Sequence, residues 1–193
     1  MSKSSGEFLR LQLLIDRGYH PLAYRLMCLQ AHYRSELEFS WEGLQAALVR
    51  LKRMVMGIER LRANAPTESR GQADMSIYQV DDCISNDLDT ARALVIADSI
   101  SAMSGFATDR LDAIFLIDHI LGLNLVNLAR TDLRIRPKAS TITEPQIEAI
   151  LARRKEARAA KDFATSDALR DQLAAQGVEV MDGDPLGWDW KLG

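Results

Sequence analysis

The chain has 193 residues, 47% of them hydrophobic and 26% charged, with a formal net charge of −3. These proportions exclude wholesale disorder, and the length suits one domain or two small ones. No apolar run is long enough to cross a membrane, and two distant cysteines, Cys28 and Cys83, exclude a disulfide scaffold and a thiolate zinc site.

The first six residues, Met1 to Gly6, have no apolar stretch of a signal peptide, so a cytoplasmic location is expected. An apolar segment from Phe8 to Ile15 stops at Gly18, and Pro21 can open the next helix at its first turn. Residues 35–40 read as a break, with Ser40 as the N-cap of a long helix. Leu44, Ala47, Leu48, Leu51, Val55 and Ile58 keep its 3.6-residue period. Residues 63–74 are polar, with Pro66 and Gly71, and read as a loop. A helix bearing Ile77, Val80, Ile84 and Leu88 follows, then a helix end and new N-cap at 86–90. The next helix is expected from about Ala91 to Met103, and Asp109 can cap another that carries Leu111 to Leu121. Together these amphipathic helices predict an antiparallel bundle.

Composition shifts at 131–143, which reads as a linker. Thr143-Glu144-Pro145-Gln146 is a capping-box helix start. That helix is expected to run to about Ala160, and a second from about Ala164 to Ala175, closed by Gly177. Val178 to Met181 alternates like a strand, Asp182-Gly183 signals a turn, and Trp188-Asp189-Trp190 suits a short returning strand. The expected fold class is mainly α, an antiparallel helical bundle followed by a small α+β unit of two helices plus a β-hairpin.

No nucleotide-binding glycine fingerprint and no GxSxG elbow is present. His20, His32 and His119 are scattered and read as structural or solvent-facing, and Cys28 and Cys83 as small buried hydrophobes. The one local charge feature is 152–161, where Arg153, Arg154, Lys155, Arg158 and Lys161 stand against Glu156 alone. Arg154, Arg158 and Lys161 share a helix face, and Phe163 follows. Cations beside an aromatic ring suit single-stranded RNA, where phosphates meet guanidinium groups and a base stacks on the ring. On pattern alone, a solvated basic face with Phe163 in the core is the more common explanation of such a stretch.

Several segments carry a family resemblance. Met1-Ser2-Lys3-Ser4 resembles the KMSKS loop of class I aminoacyl-tRNA synthetases without its first lysine. Residues 18–25, Ala31-His32-Tyr33-Arg34-Ser35 and 39–44 resemble the region after that loop in cysteinyl-tRNA synthetase. Asn86-Asp87-Leu88-Asp89-Thr90 and Leu121-Gly122-Leu123 are similar to that family's helical bundle, and 158–173 to its anticodon-binding end. The likeness covers essentially the whole chain in order.

The resemblance implies a division into 1–40 (KMSKS remnant and stem-contact helices), 41–130 (DALR-type bundle), a 131–143 linker and 144–193 (anticodon-binding domain). It implies that Arg158, Phe163, Asp167 and Asp182 contact the anticodon of tRNA(Cys), supported by Arg154 and Lys161. Phe163 stands where some members have tryptophan, and Trp188 where threonine is usual. It also implies that the ATP-binding catalytic half and the zinc ligands lie outside this chain. Ser2, Lys3 and Ser4 are then a remnant of the ATP loop, with no catalytic residue, metal or cofactor of the chain's own. A cysteine–tRNA ligase portion that binds but does not charge tRNA is expected, with no DNA or membrane partner. The alternatives are a subunit completing a split ligase with a separate catalytic chain, and a stand-alone paralogue that binds protein.

Overall fold

The computed structural model describes residues 10–64, 75–100 and 107–192. Of the loop expected at 63–74, Ala63 still belongs to the third helix and Asn64 caps it. The rest, from 65 on, lies outside the described residues, as do the end of the helix expected to reach Met103, Phe8 and Leu9. The fold is mainly helical: α1 (Leu11–Asp16), α2 (Pro21–Leu29), α3 (Trp41–Ala63), α4 (Met75–Ser85), α5 (Thr90–Ile100), α6 (Ala107–Leu121), α7 (Glu144–Ala159) and α8 (Phe163–Ala175). One antiparallel pair follows, β1 (Val178–Val180) and β2 (Trp188–Trp190), in the register Val178↔Trp190 and Val180↔Trp188. The chain divides into two compact units. One runs from Pro21 to Leu133, and the other joins the residues up to His20 to those from Arg134 on.

The first unit is built on α3. Ser40 Oγ accepts from the Gly43 N–H at 3.0 Å, fixing its start. Leu44, Leu48, Leu51, Val55 and Ile58 are buried along one stripe, as the period requires. Leu51, Val55 and Ile58 pack with Ala93, Leu94, Ile114, Ile117 and Leu121 of α5 and α6. Two local expectations are corrected, at Leu88 and Asp109, while the expected cap within 86–90 is found at Asp89. The α4 helix stops at Ser85, so Leu88 is a half-exposed residue with φ +56 and not a core position. Asp89 caps α5, its Oδ1 accepting the Arg92 N–H at 3.0 Å. Asp109 lies inside the first turn of α6, which already begins at Ala107. Cys83 is buried, and burial pushes its thiol pKa up, whereas Cys28 is only partly covered.

The second unit packs α7 and α8 against the β-pair around Ile147, Ile150, Leu169, Leu173, Val178, Trp188 and Trp190. The Thr143 N–H donates to Gln146 Oε1 at 2.9 Å at the head of α7, with Pro145 in the first turn. Residues 131–143 carry structure of their own. Leu133 and Ile142 are buried, and the Lys138 N–H donates to the Asp16 carbonyl at 2.8 Å. Trp188 is wholly buried and edge-on to Trp190, with ring centroids 5.2 Å apart. The Arg134 guanidinium lies 3.8 Å over the Trp188 ring, and Trp188 Nε1 donates to Glu148 Oε1 at 2.7 Å. A tryptophan is accommodated here because its ring finds a cation above it and its N–H an acceptor.

Candidate nucleic-acid interface

The turn between α7 and α8 is short and fully specified. The Lys161 N–H donates to the Arg158 carbonyl at 3.1 Å, and the Asp162 N–H to the Ala157 carbonyl at 2.8 Å. This is the double bond of a Schellman stop, which needs a left-handed residue and has it in Lys161, φ +59. Glycine is usual at that position, so a lysine there stores local strain. Lys161 therefore stands beyond the helix end, not on the helical face with Arg154 and Arg158 that spacing suggests. Asp162 ends one motif and starts the next. Its Oδ1 accepts from the Thr165 N–H at 3.1 Å as the N-cap of α8, and bonding to Thr165 holds its carboxyl pKa below the usual range.

These two caps fix where Phe163 goes. It is the first residue of α8 and is 64% exposed, so the reading that buries it in the core does not hold. Asp167 lies one turn further on the same helix face, also exposed, with the Arg170 Nη2 at 3.6 Å from its Oδ1. Across the turn, Arg154 and Arg158 are one turn apart on α7. Both place Nη1 at 3.5 Å from the same atom, Asp182 Oδ1. The two arginines differ in environment: the Arg154 side chain is 12% exposed and that of Arg158 is 52%. Asp182 is 68% exposed just past β1. Three elements thus present an exposed aromatic ring, a half-exposed guanidinium, and carboxylates with accessible oxygens.

Elsewhere, two motifs distant in sequence meet on one side chain. The Tyr33 hydroxyl donates to Asp87 Oδ1 at 2.6 Å, and the Arg34 Nη1 lies 3.1 Å from Asp87 Oδ2. His32 Nε2 is 3.1 Å from the Asp87 carbonyl oxygen. The hydrogen bond to Asp87 raises the Tyr33 pKa, because it favours the neutral phenol. Asp87 and Leu88 are consecutive non-glycine residues with positive φ, 58° and 56°, and this clasp holds the turn they form. Ser2, Lys3 and Ser4 lie outside the described residues. Among the described residues no group of three His, Cys, Asp or Glu side chains is placed to hold a metal ion, and no helix is long and apolar enough to cross a membrane.

Residues 143–185, which hold the whole α7–α8 turn and Asp182, match the cysteinyl-tRNA ligase anticodon binding domain. The full chain is 60% identical over 196 residues to the cysteine–tRNA ligase of Novosphingobium aromaticivorans, covering all of this chain and 40% of that protein. It is 40% identical over 226 residues to the cysteine–tRNA ligase of Zymomonas mobilis, covering 99% of the chain and 44% of the relative. It is 40% identical over 183 residues to cysteine–tRNA ligase 1 of Burkholderia lata, covering 94% and 36%. The chain is homologous to the C-terminal part of cysteine–tRNA ligases. It spans about 40% of the length of these curated relatives. All of it is similar to part of these ligases, and residues 143–185 are similar to their anticodon binding domain.

Proposed function

We propose that this chain binds tRNA(Cys) and reads its anticodon at the α7–α8 turn and the start of the hairpin. The observation that carries this is the exposed Phe163 ring, set by two back-to-back caps at the turn that follows Arg158, with Arg158 itself paired to Asp182. The chemistry suits an unstacked loop. A base stacks on the Phe163 ring, Arg158 donates to a base edge or phosphate, and Asp167 and Asp182 accept from exocyclic amino groups. Carboxylates at an RNA surface oppose indiscriminate phosphate binding, so their presence favours base reading over a general polyanion site. No step of ATP or cysteine chemistry is assigned to this chain.

The test is a fluorescence titration of the chain against tRNA(Cys) and an unrelated tRNA at several salt concentrations. Preference for tRNA(Cys) that persists as salt rises supports the proposal. Equal affinity for both, or none for either, overturns it. Replacing Arg158 by Met is expected to weaken tRNA(Cys) binding by about 1–3 kcal/mol.

A further inference from the structure

We propose that Asp182 acts as an electrostatic screen of the site, holding Arg154 and Arg158 so that phosphates are disfavoured and base edges admitted. The inference rests on the anticodon reading above and adds a specificity role to it.

The geometry is a shared carboxylate. One oxygen, Asp182 Oδ1, stands 3.5 Å from Nη1 of both arginines. Without it, the half-exposed Arg158 guanidinium, backed by the charge of the mostly covered Arg154 one helical turn away, would be open to any phosphate. With it, the local charge falls by one. A phosphate then reaches Arg158 only by displacing a carboxylate. A base presenting an exocyclic amino group has no such obstacle, because the amino group donates to the carboxylate where it already lies. The two arginines divide the task. Arg154, mostly covered, anchors Asp182 at the base of the site. Arg158, half exposed, is the cation released when a correct partner engages Asp182. Discrimination thus comes from a repulsive element as well as from attractive ones.

The experiment compares wild type, Asp182→Asn and a control, Asp171→Asn, for binding tRNA(Cys) and an unrelated tRNA across a salt series. Asp171 is exposed and near Arg170 on α8, away from both screened arginines in the ion-pair pattern. The expected result for Asp182→Asn is a rise in affinity for the unrelated tRNA of about three- to fivefold at low salt, the size of one exposed ion pair removed. Its salt slope should steepen by about 0.7, one added phosphate contact to a single strand. Affinity for tRNA(Cys) is expected to fall, so selectivity narrows from both sides. Unchanged or lower affinity of Asp182→Asn for the unrelated tRNA overturns the screen. So does an equal rise in Asp171→Asn, which reports net charge alone. A wild type without preference for tRNA(Cys) overturns the anticodon reading itself, a different failure from either of these. Melting curves of the three proteins show that each result comes from folded protein.

Discussion

Phe163 separates binding from folding more cleanly than any other residue of the site. A fully buried aromatic side chain removes about 150–250 Å² from water, but Phe163 is 64% exposed, so little more than a third of its surface is covered. At about 25 cal/mol per Å², truncation to alanine removes at most about 2 kcal/mol of burial. A compact unfolded reference lowers that figure, and alanine's higher helix propensity offsets roughly 0.5 kcal/mol. The expected stability cost of Phe163→Ala is therefore about 1 kcal/mol or less. The expected binding cost is larger, about 1–3 kcal/mol for one stacked base, or roughly 5- to 150-fold in Kd. Phe163→Leu keeps apolar area without a π face, and Phe163→Trp enlarges the face. The expected order of tRNA(Cys) affinity is Trp at least equal to Phe, with Leu and Ala well below. Titrations of all four proteins, with urea melts as the folding control, decide it. Leucine binding as well as phenylalanine would refute stacking, and alanine binding as well as wild type would refute any contact with the ring.

The buried tryptophan pair gives the opposite expectation. Trp188→Ala should cost about 3–5 kcal/mol, enough to abolish the cooperative unfolding of a unit this small, as read by near-UV circular dichroism. Trp188→Phe keeps a ring under Arg134 but leaves Glu148 without its donor, and should cost about 1–2 kcal/mol. Gly122 (φ +62) would place a Cβ 2.7 Å from Arg25 Nη2, whereas Gly177 (φ +77) has nothing within 4 Å. Gly122→Ala should therefore cost about 1 kcal/mol more than Gly177→Ala, the difference being the disturbed Arg25 bond to the Leu121 carbonyl; segment-resolved hydrogen exchange measures both, and equal costs would contradict this. The Asp162 pKa is lowered on folding, so its capping contribution is complete above the unfolded carboxylate value and is lost as pH falls through the lower folded value. An acid titration of α8 exchange protection should show that loss in wild type and not in Asp162→Asn.

Much of this architecture was readable along the chain, because helices announce themselves by period and by punctuation. Ser40, Thr143 with Gln146, and Gly177 mark helix ends that the structure keeps. The misreadings share a cause: punctuation by residues not built for it. Leu88 continues the spacing of Ile84 and is excluded from the helix only because Asp87 and Leu88 adopt left-handed backbone without glycine. Lys161 does the same at the end of α7, so spacing extends a helical face that the chain has already left. Asp162 caps α8, which begins one residue before the start expected near Ala164, and an aspartate before a helix is a common start. In the site, residue types were legible but their pairing was not. Asp182 lies 28 residues from Arg154, and no local pattern brings them together. The same holds for Asp87, which gathers Tyr33 and Arg34 from more than 50 residues away. Whether Phe163 faced the core or the solvent rested on the turn before it, and that turn is set by backbone bonds a sequence pattern does not display.

The central claim is that this chain reads the anticodon of tRNA(Cys). The most direct test is a competition titration between tRNA(Cys) and the same tRNA altered only in its anticodon triplet, at physiological salt. A loss of affinity of about tenfold or more for the altered tRNA, at 1–3 kcal/mol per base no longer read, is the expected result. Equal affinity for the two would contradict it.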